Sequence, residues 1–203
     1  MGLHRVWPDA HIVGVDINSQ PRYPFIFEQA DAMTYPLDGF DFAWASPPCQ
    51  KYTTLKTVWN YREGHPDYIA ALRVRLQGVP HVIENVPGAP LQSPALLCGT
   101  AFGLGVVAYD GWRELRRHRL FECSFPVIST ECFHKGATIG IYGDHARDKR
   151  RKPGVRHRGI DFPDQDRIRL GREALQIPWA GCWREISQAI PPAYAEYVAN
   201  HVL

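Results

Sequence analysis

The 203-residue chain has no apolar run approaching the ~18 residues that a membrane-spanning helix requires, so none is expected. Its opening residues, MGLHRVWPDAHIVGVDI, lack the charged segment, apolar stretch and small-residue cleavage site of a secretory leader. Cysteine is sparse: five residues, an odd count, at scattered spacings. Without an export signal this favours free thiols in a reducing cytoplasm over a disulfide framework. Strong charge of one sign is also missing. A net charge of +2 does not by itself point to nucleic acid, and no internal repeat or low-complexity tract is present.

At 45% hydrophobic and 22% charged, the chain has the composition of one globular domain with a sizeable core. HIVGVDI (11–17), FDFAWAS (40–46), HVIENV (81–86) and RHRLFEC (117–123) read as short buried strands. PDYIAALRVRLQG (66–78) sets Ile69, Leu72 and Leu76 on one helical face and stops at Gly78. PPAYAEYVANHVL (191–203) reads as a helix opened by proline, with Tyr194, Tyr197, Val198 and Val202 on one face. Strands alternating with helices predict an α/β fold with a Rossmann-like, doubly wound, mostly parallel sheet. Residues 124–180 are rich in Gly, Pro, Arg and Asp, with one strand-like stretch, ATIGIYG (137–143). The expected organisation is therefore an α/β domain over 1–123, a short irregular insert over 124–180, and a C-terminal segment over 181–203 that returns to the domain.

In such folds ligands sit at the carboxyl ends of strands. Asp16, Cys49 and Glu84 each lie at or just past such an end. A free cysteine is usually a small buried hydrophobe. Cys49 differs, because polar residues surround it and Pro47 and Pro48 stiffen its approach, as suits a nucleophile. Glu84 has two readings: a strand-end acid paired with a passing arginine, or a cleft carboxyl whose pKa is raised by burial, with Asn85 bracing it. RDKRRKPGVRHR (147–158) carries seven Lys or Arg against one acid. It reads as a solvated loop or as a phosphate-contacting segment.

S-P-P-C-Q at 46–50, E-N-V at 84–86, R-H-R at 117–119 and ISQAIPPAYAEYVAN at 186–200 resemble, in order, motifs of the DNA cytosine-5 methyltransferases. The resemblance implies the methyltransferase form of the Rossmann-like fold, with the insert as target-recognition region, and double-stranded DNA as partner. By position Cys49 would add to carbon 6 of a flipped-out cytosine, and carbon 5 would then take the methyl group of S-adenosylmethionine. Glu84 would contact the ring nitrogen and exocyclic amine. Arg119 would hold the base carbonyl and favour the thiolate, and Arg117 would brace the site. The family's glutamine two residues before the first arginine is Leu115 here. Flipping the base costs a few kcal/mol. Gln50, Arg147, Lys149, Arg150, Arg151, Lys152, Arg156 and Arg158 are the expected DNA contacts.

The same resemblance assigns the cofactor site. Asp16 would bind the ribose hydroxyls, Ile17 would lie against the adenine, Asp31 would read its amino group, and Pro47 would line the pocket. Without the resemblance, Asp16 reads as the cap of the next turn and Asp31 as a loop acid. Residues 1–15 contain no F-x-G-x-G turn for the methionine half, and Gly103-Leu104-Gly105 comes too late to serve. An upstream segment or a second polypeptide is expected to complete the site. Two other readings compete: an inactive DNA-binding remnant, and a related one-carbon transferase or one acting on RNA. Cys123, Cys132 and His134 match no common zinc spacing, and no metal is expected. The compact form resembles bacterial and phage enzymes.

Overall fold

The computed structural model describes residues 1–52, 66–109, 111–142 and 164–202, with the side chains of 164 and 165 excepted. The chain opens with a short helix, α1 (Gly2–Val6), that packs on the C-terminal helix α5 (Pro192–Ala199). Gly2 makes this approach possible, since a Cβ there would collide with the Pro192 carbonyl. Strands β1 (Val13–Asp16) and β2 (Ile26–Gln29) form a parallel pair in which Asp16 faces Gln29.

A second sheet carries the candidate site. β3 (Ala43–Ala45) runs parallel to β4 (His81–Asn85), and the crossover between them holds α2 (Ile69–Arg75). β8 (Arg119–Cys123) lies antiparallel to β4 on one side and to β5 (Ala95–Leu97) on the other. β6 (Gly105–Ala108) and β7 (Gly111–Glu114) form a separate antiparallel pair. The helices α3 (Asp164–Leu175) and α4 (Trp183–Gln188) complete the element order.

β4 is buried on both faces, which is why its sequence reads as an unbroken apolar run. Val82 joins a core of Leu97, Phe121, Leu170, Trp183 and Tyr194. Ile83 points to the opposite face, where it meets Leu72 and Leu76. Residues 164–180 thus contribute Leu170, Ala174, Leu175 and Ile177 to the main core, although the sequence reads as irregular there. ATIGIYG forms a single bridge, Glu114 to Thr138, and its residue 143 lies outside the described residues.

The expected Rossmann-like, doubly wound parallel sheet is not formed. Two strand pairs are parallel, the strands divide into three sheets, and β8 and β5 run antiparallel to their neighbours. The physical reason lies in the connections. Residues 17–25, between β1 and β2, contain no helix to cover a sheet face. β1 and β3 each keep one edge without a strand partner among the described residues, so the two parallel pairs do not merge. Strand direction also depends on long-range pairing, which a local apolar run does not encode. No helix among the described residues is long and apolar enough to cross a membrane.

Candidate active site at the ends of β3 and β4

β3 ends at Ala45, and the chain turns through Ser46, Pro47 and Pro48 to the partly buried Cys49. Asn85, at the end of the neighbouring β4 and 1% exposed, fixes this turn by donating from Nδ2 to the Pro47 carbonyl at 3.0 Å. Its Oδ1 accepts the Val86 amide at 2.9 Å. The Tyr52 amide donates to the Cys49 carbonyl at 3.0 Å and closes the loop. The indole of Trp44 donates to Ser46 Oγ at 3.2 Å, and Ser46 in turn hydrogen-bonds Glu84.

Glu84 is 5% exposed and pairs with Arg119, Nε to Oε1, at 3.0 Å. The pairing follows from register, since Glu84 lies opposite Phe121 and Arg119 starts the same strand. Burial pushes the Glu84 carboxyl above its ordinary range, and Arg119, Ser46 and Arg117 oppose the shift. Burial likewise raises the Cys49 thiol, with Arg119 and Arg117 pulling it down and Glu84 pushing it up. A neutral Glu84 therefore lets Arg119 favour the Cys49 thiolate more strongly.

Arg117 is buried and donates to three carbonyls, those of Ile141, Ser187 at 2.7 Å and Ala189 at 2.6 Å. Its own carbonyl accepts the Tyr194 hydroxyl at 2.8 Å. Burial, with the charge of Arg119, lowers the Arg117 pKa to about 9, which leaves it charged at neutral pH. Arg117 thus ties the segment ahead of β8 to residues 141, 187 and 189. Ser46 and Tyr194 take part in this arrangement although sequence reasoning gave them no site role. The signal for Ser46 was its place at the head of S-P-P-C. Leu115 lies in the main core, so that position offers no side-chain hydrogen bond.

No family model, curated protein or solved structure matches the chain.

The structure therefore brings together Cys49, Pro47, Glu84, Asn85, Arg117 and Arg119. It places Asp16, Ile17 and Asp31 on the β1–β2 unit, with no hydrogen bond or ion pair linking them to that cluster among the described residues. Asp16 Oδ1 accepts the Asn18 amide at 2.7 Å and the Asn18 side chain at 3.2 Å, capping the turn. Ile17 is 66% exposed. Asp31 Oδ1 accepts the Met33 amide at 2.8 Å. Gln50 is exposed. Arg147, Lys149, Arg150, Arg151, Lys152, Arg156 and Arg158 lie outside the described residues. Gly103 adopts a left-handed conformation, φ 62°, and closes a 3-10 turn over 99–102, so the G-x-G there serves the local fold.

Cys132 and His134 lie close together, as their spacing suggests, but Cys123 does not join them. Its thiol is directed at the Phe121 carbonyl, at 3.8 Å. The side chains that do approach Cys132 and His134 are Cys98 and His118. The sequence signal was limited to the C-x-H pair, because the other two residues flank separate strands, Cys98 just after β5 and His118 just before β8.

Proposed function

We propose that the chain is a DNA cytosine-5 methyltransferase that acts through a covalent bond between Cys49 and the base. The observation that carries the reading is the buried Glu84–Arg119 pair beside the turn that presents Cys49. The residues also fit the adenosine half of S-adenosylmethionine. Both hydrogen bonds to Asp16 use Oδ1 and leave Oδ2 for a ribose hydroxyl, and the exposed Ile17 offers an apolar surface. S-adenosylmethionine would supply an electrophilic methyl group.

The protein's part runs as follows. Cys49 loses its proton to solvent, and Sγ bonds to carbon 6 of the cytosine. Glu84, whose burial favours the protonated form, gives a proton to the ring nitrogen as electrons move into the ring. Before this transfer Arg119 faces a neutral carboxyl and its charge stabilises the Cys49 thiolate; during it, as Glu84 becomes a carboxylate, Arg119 stabilises the base carbonyl. Carbon 5 becomes nucleophilic and is methylated. Loss of the carbon 5 proton to water and expulsion of the Cys49 thiolate restore the ring, and the ring-nitrogen proton returns to Glu84.

The test is transfer of labelled methyl from S-adenosylmethionine to double-stranded DNA, with the chain run beside Cys49→Ser. Label on cytosine with the native chain alone is the expected result. Label undiminished by the substitution, or absent with both proteins, refutes the assignment. Salt-dependent DNA binding without transfer identifies a DNA-binding remnant instead.

A further inference from the structure

We propose that Cys98, His118, Cys132 and His134 form a tetrahedral zinc site that fixes the start of β8. Their four donor atoms all lie within 4.8 Å of one another. Cys98 Sγ is 3.2 Å from His134 Nε2, and Cys132 Sγ is 3.3 Å from His118 Nε2. In a Cys2His2 site, Zn–S bonds of about 2.3 Å and Zn–N bonds of about 2.0 Å put donor atoms about 3.3–3.8 Å apart. Side-chain rotations that move the most distant donors together by about 1 Å therefore close the four around one ion. The donor set, two thiols and two imidazoles, is the one that zinc takes in closed structural sites.

The backbone holds these residues together for reasons independent of any ion. β5 and β8 pair with Leu97 opposite Arg119, so Cys98 and His118 are the next residues at the open end of that antiparallel pair. The loop with Cys132 and His134 is tied to the same end. The Thr130 amide donates to the Leu96 carbonyl at 2.9 Å, the Cys98 amide to Thr130 Oγ1 at 3.3 Å, and the Phe133 amide to Thr100 Oγ1 at 3.0 Å. Beyond His134, the amides of Lys135 and Gly136 donate to Glu114 Oε2 at 3.1 and 3.2 Å. Outer contacts orient Cys98: its Sγ lies 3.1 Å from Thr100 Oγ1 and 3.2 Å from the Arg116 carbonyl. Cys98 is buried while Cys132 and His134 are exposed, so the ion can enter from solvent onto a fixed inner ligand. His118 stands between Arg117 and Arg119, and the ion would clamp the chain segment that carries both. The proposal does not depend on the DNA reading.

The full-length chain, purified without chelator, is expected to carry about one zinc per molecule by elemental analysis. Removing the ion and adding cobalt(II) is expected to give the ligand-field bands of a tetrahedral ion and a thiolate charge-transfer band. Cys132→Ser combined with His134→Ala changes two exposed side chains and is expected to lower bound metal at least about tenfold. Cys182→Ser is expected to retain it. A native chain that takes up neither zinc nor cobalt overturns the proposal. So does metal content unchanged in the double variant, or a Cys98–Cys132 disulfide in the isolated protein.

Discussion

Asn85 offers the sharpest test of how the candidate site is held, because one side chain joins two segments far apart in sequence. Asn85→Ala deletes the 3.0 Å bond to the Pro47 carbonyl and the 2.9 Å bond from the Val86 amide. Each such bond contributes about 1 kcal/mol net. Asn85 is 1% exposed, so water cannot readily replace the lost partners. The loss at Pro47 is the smaller, since that residue is half-exposed, and the total comes to about 2–3 kcal/mol. With a urea dependence of about 2 kcal/mol per molar, the unfolding midpoint should fall by about 1 M. The Cys49 turn should loosen at the same time. Alkylation of Cys49, followed at its own peptide by mass spectrometry, should accelerate several-fold while that of Cys182 does not change. Asn85→Asp should be no milder, since a carboxylate cannot donate to Pro47 and would sit next to Glu84 in sequence. A midpoint within about 0.2 M of the native value, with unaltered Cys49 alkylation, would refute the view that Asn85 anchors the turn.

Other substitutions probe the neighbouring charges. Glu84→Gln should slow methyl transfer by orders of magnitude in the labelled assay, because the amide has no proton to give at the ring nitrogen. The raised Glu84 pKa means the folded state holds this proton where the unfolded chain releases it, so its contribution to stability falls as pH rises above the unfolded value. Denaturation of Glu84→Gln should lack that decline. Glu122 behaves oppositely. Although burial opposes ionisation, Arg73 at 2.6 and 2.8 Å and the Gln92 amide hold its pKa below the ordinary value. Its contribution is present above the unfolded pKa and is lost as pH falls through the folded one. Glu122→Gln should therefore cost about 2–3 kcal/mol at pH 7, and the gap to the native chain should close in acid; a gap independent of pH would rule out the ion pair as its source. Neutralising Arg150, Arg151 and Lys152 together should weaken DNA binding and flatten its salt dependence, read from binding isotherms at several salt concentrations. The slope should fall by about 0.9 for each phosphate that the variant no longer neutralises.

The sequence made individual elements legible and left their arrangement hidden. β1, β3, β4, β8, α2 and α5 all fall within stretches marked by apolar runs or helical spacing. β2 (IFEQ) is mostly exposed and offers no buried alternation to detect. α3 (DQDRIRLGREAL) hides an apolar stripe among charges. The direction of β8 was not legible either, because antiparallel pairing of β4 with a strand more than thirty residues away leaves no local trace. The candidate active site fared better, since S-P-P-C, E-N-V and R-H-R each end or begin a strand of the same sheet. The Cys98–His118 pairing depended on β5 and β8 being neighbours, a fact of topology that spacing cannot supply.

Strand β8 and the residue ahead of it place unlike demands on four side chains. Phe121 fills the main core, Glu122 on the other face holds Arg73, Arg119 meets Glu84, and His118 just ahead of the strand lies beside Cys132. A slip of one residue against β4 and β5 would turn every side chain to the wrong face. It would put Glu122 into the core, expel Phe121 and part both arginine–carboxyl contacts in a single step. Correct alignment is thus selected several times over along one short strand, a form of proofreading built into the chain. An isolated three-residue β5 could not enforce its own alignment, and inherits it from this neighbour.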